Sequence, residues 1–385
     1  MTSWMLVTGE YPPVPGGVAD YTRQIARALA TAGDVVEVWS PRAPEHDGRT
    51  SDFTSDPGVT VHALPDQLGL RSLDVLRREI ARRPGARVFA QYVPHALGMR
   101  SLNLPFCIWL AAQRAPKWIL FHEVAFPYVA GGPLKHHVLA TTHHAMAAIA
   151  SRGTDRVFVT VPGWNTILKR AFGREGEWLP VASNVPTDVT ADAVARTRAS
   201  LGFAGEQIVL GHFGTFGGNI TQHLEPALRA LLARDPRRVA LLMGRGGQEF
   251  AARDLRDLGT RVVATGPLDA AHGSLDAHVL AAHIASSDLV IQPYPDGVSS
   301  RRTTAMAALA LGKPLLTNDG IFTESCWRDG GVALASDPSA DALVSASEVL
   351  FAKPAERADL ARRGLALYDR AFSLERLVRT LRQSR

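Results

Sequence analysis

The chain alternates short apolar runs with stretches of helical period, pauses once near its middle, and then repeats the alternation. That pattern is the sequence form of βαβ units, and it confines each half to a parallel sheet flanked by helices. The first half opens with a strand at Trp4–Thr8, a Gly/Pro-rich loop at Gly9–Gly17 and a helix ending at Gly33, where a cap glycine belongs. Val35–Pro41, VTVHAL, RVFAQY, KWILFH and DRVFVTV supply further strands, with helices expected around Leu70–Arg83, Leu102–Gln113 and Leu134–Ala150. The pause, Trp178–Thr190, is rich in Pro, Ser, Asn and Thr. Beyond it Gln207–Phe213 restarts the series, followed by GTFGGN, a helix, and the strands RVALLMG, TRVVATG, SDLVIQPY and KPLLTN. From Ser339 to Arg385 the pattern is helical, broken near Pro354 and Phe372.

Two doubly wound α/β domains are therefore expected, over 1–184 and 185–368, with a helix over 369–385. A length of 385 residues is enough for two cores. Open α/β sheets bind ligands beyond the carboxyl ends of their strands, so the expected site is a cleft that the two domains share. Hydrophobic residues at 46% and charged residues at 21% exclude disorder and coiled coil. The longest strongly apolar stretch, near Leu102–Ala112, carries Asn103 and Pro105 and is shorter than the ~18 residues of a membrane helix. The N-terminus lacks the basic region and cleavage site of a secretory leader, and Cys107 and Cys326 offer no disulfide framework. A cytoplasmic setting is expected.

A net charge of +5, from 42 basic and 37 acidic residues, is too small to point to nucleic acid. It suits an anionic small substrate or peripheral contact with the inner face of an anionic membrane. The densest basic cluster, Arg71–Arg83, reads first as a solvated helix face. The sequence leaves the oligomeric state open.

Four loops stand at carboxyl ends of expected strands. Gly16 and Gly17 let backbone N–H groups approach an anion at a helix start. His122 and Glu123 follow the strand KWILF, where a titratable ring beside a carboxylate could hold a hydroxyl. Gly211, Gly214, Thr215, Gly217 and Gly218 crowd the turn after Gln207–Phe213. The most informative loop runs from Pro293 through Asp296 to Ser299, Ser300, Arg301, Arg302, Thr303 and Thr304, opening a small-residue helix that closes at Gly312. Ser is a favoured N-cap, whereas two arginines at a helix start oppose the macrodipole. An anionic phosphate ligand would account for them. His136, His137, His143 and His144 do not share a helix face at metal-binding spacing, so no metal is expected.

GEYPP-PGGVADYT, FHEV, SNVP and PYPDGVSSRRTTAMAALALGKPLLTNDG, in that order over nearly the whole chain, resemble the family 4 (GT4-like) glycosyltransferases. The PYPDG-S-RR form resembles a bacterial subgroup. The resemblance implies the GT-B fold, two Rossmann-like domains facing across a cleft. It also implies retaining transfer of a sugar from a nucleotide-sugar to a hydroxyl acceptor, without a metal or other cofactor. Carried over by position, Gly16 and Gly17 face the donor diphosphate and sugar, His122 lies near sugar and acceptor, and Ser299–Thr304 hold the donor phosphates. The catalytic candidates are His122, Arg301 and Arg302. The substrate-binding candidates are Gly16, Gly17, Tyr21, Glu123, Gly214, Thr215, Arg245, Asp296, Ser299, Ser300 and Thr303.

Two departures from the family matter. Ser299 and Ala307 stand where many members carry a Glu-x7-Glu pair, so Asp296 or a backbone group is left to grip the ribose. The loop after Gln207–Phe213 lacks the usual Arg and Lys, for which Arg301 and Arg302 are the replacements at hand. Two alternatives remain: a sugar-nucleotide epimerase of the same fold, and a non-catalytic nucleotide-sugar binder. A dinucleotide-binding dehydrogenase does not fit, because GEYPPVPGG lacks the tight G-x-G-x-x-G spacing and Arg245, not an acid, follows the next strand.

Overall fold

A computed structural model describes residues 1–14, 16–42, 55–266 and 277–383. Pro15, inside the first glycine loop, lies outside the described residues. In chain order the elements begin β1 Ser3–Val7, α1 Gly17–Thr31, β2 Val35–Pro41, β3 Val59–Leu64, α2 Leu70–Arg82, β4 Arg87–Tyr92 and α3 Leu104–Ala112. They continue β5 Lys117–Phe121, α4 Leu134–Gly153, β6 Arg156–Val159, α5 Trp164–Phe172, β7 Glu177–Trp178, α6 Ala191–Ser200, β8 Ile208–Phe213 and α7 Gly218–Arg234. The remainder is β9 Arg238–Met243, α8 Gly247–Asp254, β10 Val262–Gly266, α9 Ala277–Ala285, β11 Leu289–Gln292, α10 Thr303–Ala310, β12 Leu315–Asn318, β13 Ala333–Ala335, α11 Ala340–Ala352, α12 Pro354–Leu367 and α13 Leu374–Arg382. A π turn, Tyr368–Phe372, separates the last two helices.

The chain falls into two compact units, Met1–Pro180 with Leu374–Arg385, and Val181–Ser373. Each is built on one parallel sheet. The first has strand order β3-β2-β1-β4-β5-β6-β7 and the second β10-β9-β8-β11-β12-β13. Both orders reverse direction beside the first strand of the unit, the doubly wound arrangement of a Rossmann-like domain. Central strands read as apolar runs because both faces are covered: Met5–Val7, Val209–Leu210 and Leu289–Ile291 are all buried.

In the first unit, β1 pairs with β2 (Ser3 opposite Val35) and with β4 (Trp4 opposite Arg87). Trp4 is fully buried and donates its indole N–H to Asp34 at 3.1 Å, and Asp34 in turn pairs with Arg382 of α13. The terminal helix packs on α1 and buries Leu377 and Leu381. The basic face of α2 carries its own acids: Asp74 pairs with Arg77 and Arg78, and Glu79 with Arg82 and Arg83. In the second unit, leucines of α7 (Leu224, Leu228, Leu231, Leu232) pack on β8, β9 and β11 and on α11. No helix among the described residues is long and apolar enough to cross a membrane.

Candidate functional site

The second sheet reverses its strand order between β8 and β11, so loops leaving those strands diverge and open a crevice at their carboxyl ends. β11 leads into the turn Tyr294–Gly297, closed by the Gly297 N–H donating to the Tyr294 carbonyl at 3.0 Å. Pro and Asp occupy the middle of that turn as turn chemistry favours. Gly297 has φ +83° and lies so close to the Gly320 backbone that a Cβ would sit 2.5 Å from the Gly320 nitrogen. Asn318, at the end of β12, clamps the loop by accepting from the Tyr294 N–H and donating to its carbonyl, each at 2.8 Å. The loop is thus held by the chain's own backbone and the Asn318 amide, without a ligand.

Asp296 is the centre of this loop. One of its carboxylate oxygens accepts from Arg301 and the other from Arg302. The Arg302 guanidinium also stacks on the Tyr294 ring at 4.5 Å, and Arg301 lies 5.1 Å from the centre of the Phe322 ring. This arrangement revises two expectations. The arginines do not depend on a phosphate ligand alone, because Asp296 already offsets their mutual repulsion and their conflict with the helix dipole. Asp296 itself, with both oxygens engaged, is a clamp for guanidiniums rather than an open acceptor for a ribose. The trio keeps a net charge of +1 at the start of α10.

The helix start also differs from expectation. α10 begins at Thr303 with Arg302 in the cap position and no side-chain cap bond, so Ser299 is not its N-cap. The neighbouring serine, Ser300, is engaged elsewhere. Glu324 reaches Ser300 from 24 residues downstream, accepting from its N–H at 3.0 Å and from its hydroxyl, and accepting from the Trp327 indole at 2.8 Å. Burial pushes the Glu324 carboxyl above its ordinary value. Ser299 is fully buried and its hydroxyl has no partner. Thr303 opens the helix, and the Thr304 hydroxyl lies 2.7 Å from the Tyr294 hydroxyl. Ala307, one of the two positions of the absent glutamate pair, is buried inside α10.

At the end of β8, Gly214 adopts φ +149° and its N–H donates to the Met243 carbonyl at 2.9 Å. Thr215 is exposed, and Arg245, after β9, is exposed and outside every described ion pair. The residue that sequence reasoning missed is His212. It is 2% exposed, and its Nδ1 lies 2.9 Å from the Ile291 carbonyl, bridging the strands at which the sheet reverses. A carbonyl only accepts, so Nδ1 carries the proton and Nε2 is a bare acceptor. Nε2 has no partner. The signal available in sequence was a polar ring in an otherwise apolar strand, immediately before a glycine turn.

In the first unit, the start of α1 already holds an anion of the chain's own. The Glu10 carboxylate accepts from the Ala19 N–H at 3.3 Å and would sit 2.6 Å from a Cβ at Gly16. Burial raises the Glu10 pKa. A Cβ at Gly17 would meet nothing within 4 Å. The Tyr21 hydroxyl is committed to the Pro180 carbonyl at 3.1 Å, while its ring stands edge-on to His122 at 5.4 Å. His122 is buried, and burial pushes its pKa down to about 3. Its Nε2 lies 2.9 Å from Gln91 Oε1, an acceptor, so Nε2 carries the proton, and because burial keeps the ring neutral Nδ1 is left as an acceptor. Glu123 is exposed, 3.8 Å from His95. Of the four clustered histidines, His143 is tied by both ring nitrogens to the Phe126 N–H and the Ser101 carbonyl. No group of three or more metal-binding side chains occurs among the described residues.

The two helix-covered parallel sheets define the class: two Rossmann-like units, the GT-B fold. No protein-family model matches the sequence, and no curated protein matches it significantly. Solved structures do match in fold over nearly the whole length. Sucrose-phosphate synthase from Thermosynechococcus elongatus is 18% identical, with 99% of this chain and 97% of that chain covered and a TM-score of 0.74. HepE from Anabaena, solved with UDP and glucose, is 16% identical, covers 99% and 98%, and has a TM-score of 0.70. A glycosyltransferase from Rickettsia africae is 12% identical, covers 99% and 97%, and has a TM-score of 0.71.

Proposed function

We propose that this protein is a retaining, metal-independent glycosyltransferase that moves a sugar from a nucleotide-sugar to a hydroxyl acceptor. The observation that carries this reading is the net-positive clamp of Asp296, Arg301 and Arg302 at the start of α10, on a loop beside the reversal of strand order. Proteins of this fold that hold UDP and glucose, such as the Anabaena neighbour, make a nucleoside diphosphate the natural anion. The donor diphosphate lies against the α10 start, where Arg301, Arg302 and the N–H groups of the first turn meet it. As the bond from the anomeric carbon to the phosphate oxygen breaks, charge grows on that oxygen, and fixed positive groups stabilise it. The acceptor oxygen bonds to the anomeric carbon on the same face, and its proton passes to the leaving phosphate.

His122 and Glu123, in the first unit, serve the acceptor side. Neutral His122 presents Nδ1 as a hydrogen-bond acceptor for a hydroxyl. It is no acid at neutral pH. Glu324 is a positioning residue, fixing Ser300 and with it the approach to α10.

The test is a thermal-shift panel of UDP, GDP, ADP and dTDP in EDTA, followed by incubation of the responding nucleotide's sugar form with and without acceptors. One diphosphate is expected to raise the melting temperature without added metal, since binding at a hundredfold excess over Kd adds ~2.7 kcal/mol. Transfer to an acceptor supports the reading. An epimer from donor alone supports the epimerase instead, and binding without turnover the non-catalytic binder.

A further inference from the structure

We propose that His212 Nε2 is a built-in acceptor for a hydroxyl of the bound nucleotide-sugar, placed where the sheet reverses its strand order. The inference rests on the donor reading above.

The geometry leaves Nε2 one use. Nδ1–H is fixed on the Ile291 carbonyl at 2.9 Å, and the ring stands edge-on to Phe216 at 5.1 Å. Nε2 therefore points to the remaining side, where a Cβ on Gly214 would lie 4.0 Å from it and 3.3 Å from the Thr304 methyl. Thr304 is in the first turn of α10, so this acceptor lies beside the proposed phosphate site. Gly214, having no side chain, adds no atom of its own on this side, where Nε2 is buried. Gln292 also spans the reversal, donating to the Phe213 carbonyl at 2.7 Å, so the histidine stands on a braced pair of strands.

A buried acceptor without a partner is costly to keep, about the desolvation penalty of the group. A ligand that supplies the missing hydrogen removes the cost. A diphosphate at neutral pH has no hydrogen to give, and its oxygens would be repelled by the Nε2 lone pair. The complementary group is a hydroxyl, either of the transferred sugar or of the nucleoside. Burial keeps the ring neutral, with a pKa near 4, so the acceptor persists over the physiological range.

The experiment is isothermal titration calorimetry on the full chain with His212→Leu and His212→Gln. The probes are pyrophosphate, each nucleoside diphosphate of the panel, and UDP-glucose and GDP-glucose. Leu removes the acceptor, whereas Gln can place an amide oxygen near the Nε2 position. His212→Leu is expected to weaken the nucleotide-sugar roughly tenfold while pyrophosphate binds as before, with Gln recovering most of the loss. Loss confined to the nucleotide-sugar assigns the hydroxyl to the transferred sugar, and equal loss on the bare nucleoside diphosphate assigns it to the nucleoside. Unchanged affinities, or a loss shared with pyrophosphate, overturn the proposal while leaving the donor reading intact. A wild-type protein that binds no nucleotide or nucleotide-sugar overturns both, and is distinguished by failing before any substitution.

Discussion

The starts of α1 and α10 look alike in sequence, each a glycine-bearing loop after a buried strand, yet they carry opposite charge. At α1 the chain sets a carboxylate of its own, Glu10, against the Ala19 N–H. At α10 it sets two guanidiniums around one aspartate. A helix start attracts anions. The first unit has satisfied that attraction internally, and the second has strengthened it. On the proposed reading, the anionic half of the substrate belongs at the second unit and neutral hydroxyls at the first.

The two loops also differ in how much room they keep, and this gives the largest expected effect. Gly297 lies against the Gly320 backbone at φ +83°, so Gly297→Ala is expected to destabilise the protein by about 3 kcal/mol. Gly17→Ala, with open space around it, is expected to leave the melting temperature within about 2 °C. Any loss of turnover in Gly17→Ala then reports a substrate close to α1. Equal destabilisation by both changes would erase the contrast between a locked loop and an open one.

Next in size is the response to acid, which samples one buried histidine at a strand end in each unit. Burial holds His122 near 3 and His212 near 4, against about 6.5 in the unfolded chain. Below pH 6.5 the unfolded state binds more protons, so the stability is fully present above that pH and falls as acid drives the pH toward the folded values. At pH 5 the loss is about 2 kcal/mol for each ring. Urea unfolding at pH 7 and pH 5 is expected to show it, with His122→Gln and His212→Leu each removing about half of the histidine contribution. A pH slope untouched by either substitution would mean that the rings are not buried and neutral.

The smallest effect concerns His122 in catalysis. As a single neutral acceptor it contributes about 1 kcal/mol. His122→Ala is expected to lower turnover roughly fivefold while leaving nucleoside diphosphate affinity within about threefold. Weakened diphosphate binding with normal turnover would move this ring from the acceptor side to the donor side.

The alternation of strands and helices, and the breaks at Pro354 and Phe372, were legible because they depend on local pattern. Short β7 and β13, and α6 after the pause, were not, since few residues carry each signal. In the candidate site, residue types and loops could be read, but partners could not. Asp296 is five and six residues from its arginines, yet nothing local told a clamp from a ribose acceptor. Glu324 meets Ser300 only because β12 returns the chain beside the β11 loop, and this contact ties up one of the two serines that precede the helix. His212 became visible only when Ile291 fixed its tautomer and left Nε2 without a partner.

On the proposed reading the diphosphate binds at α10 through Arg301 and Arg302. Calorimetry in EDTA with the responding nucleoside diphosphate tests it most directly, comparing Glu10→Gln with a combined Asp296→Asn, Arg301→Ala and Arg302→Ala variant, which leaves no unpaired carboxylate. Without the two charge-assisted hydrogen bonds from the guanidiniums, the combined variant is expected to bind at least about a hundredfold more weakly at a similar melting temperature, and Glu10→Gln to stay within about threefold of the parent. Near-parental affinity in the combined variant, together with a marked change in Glu10→Gln, would place the anion at α1 and contradict the account.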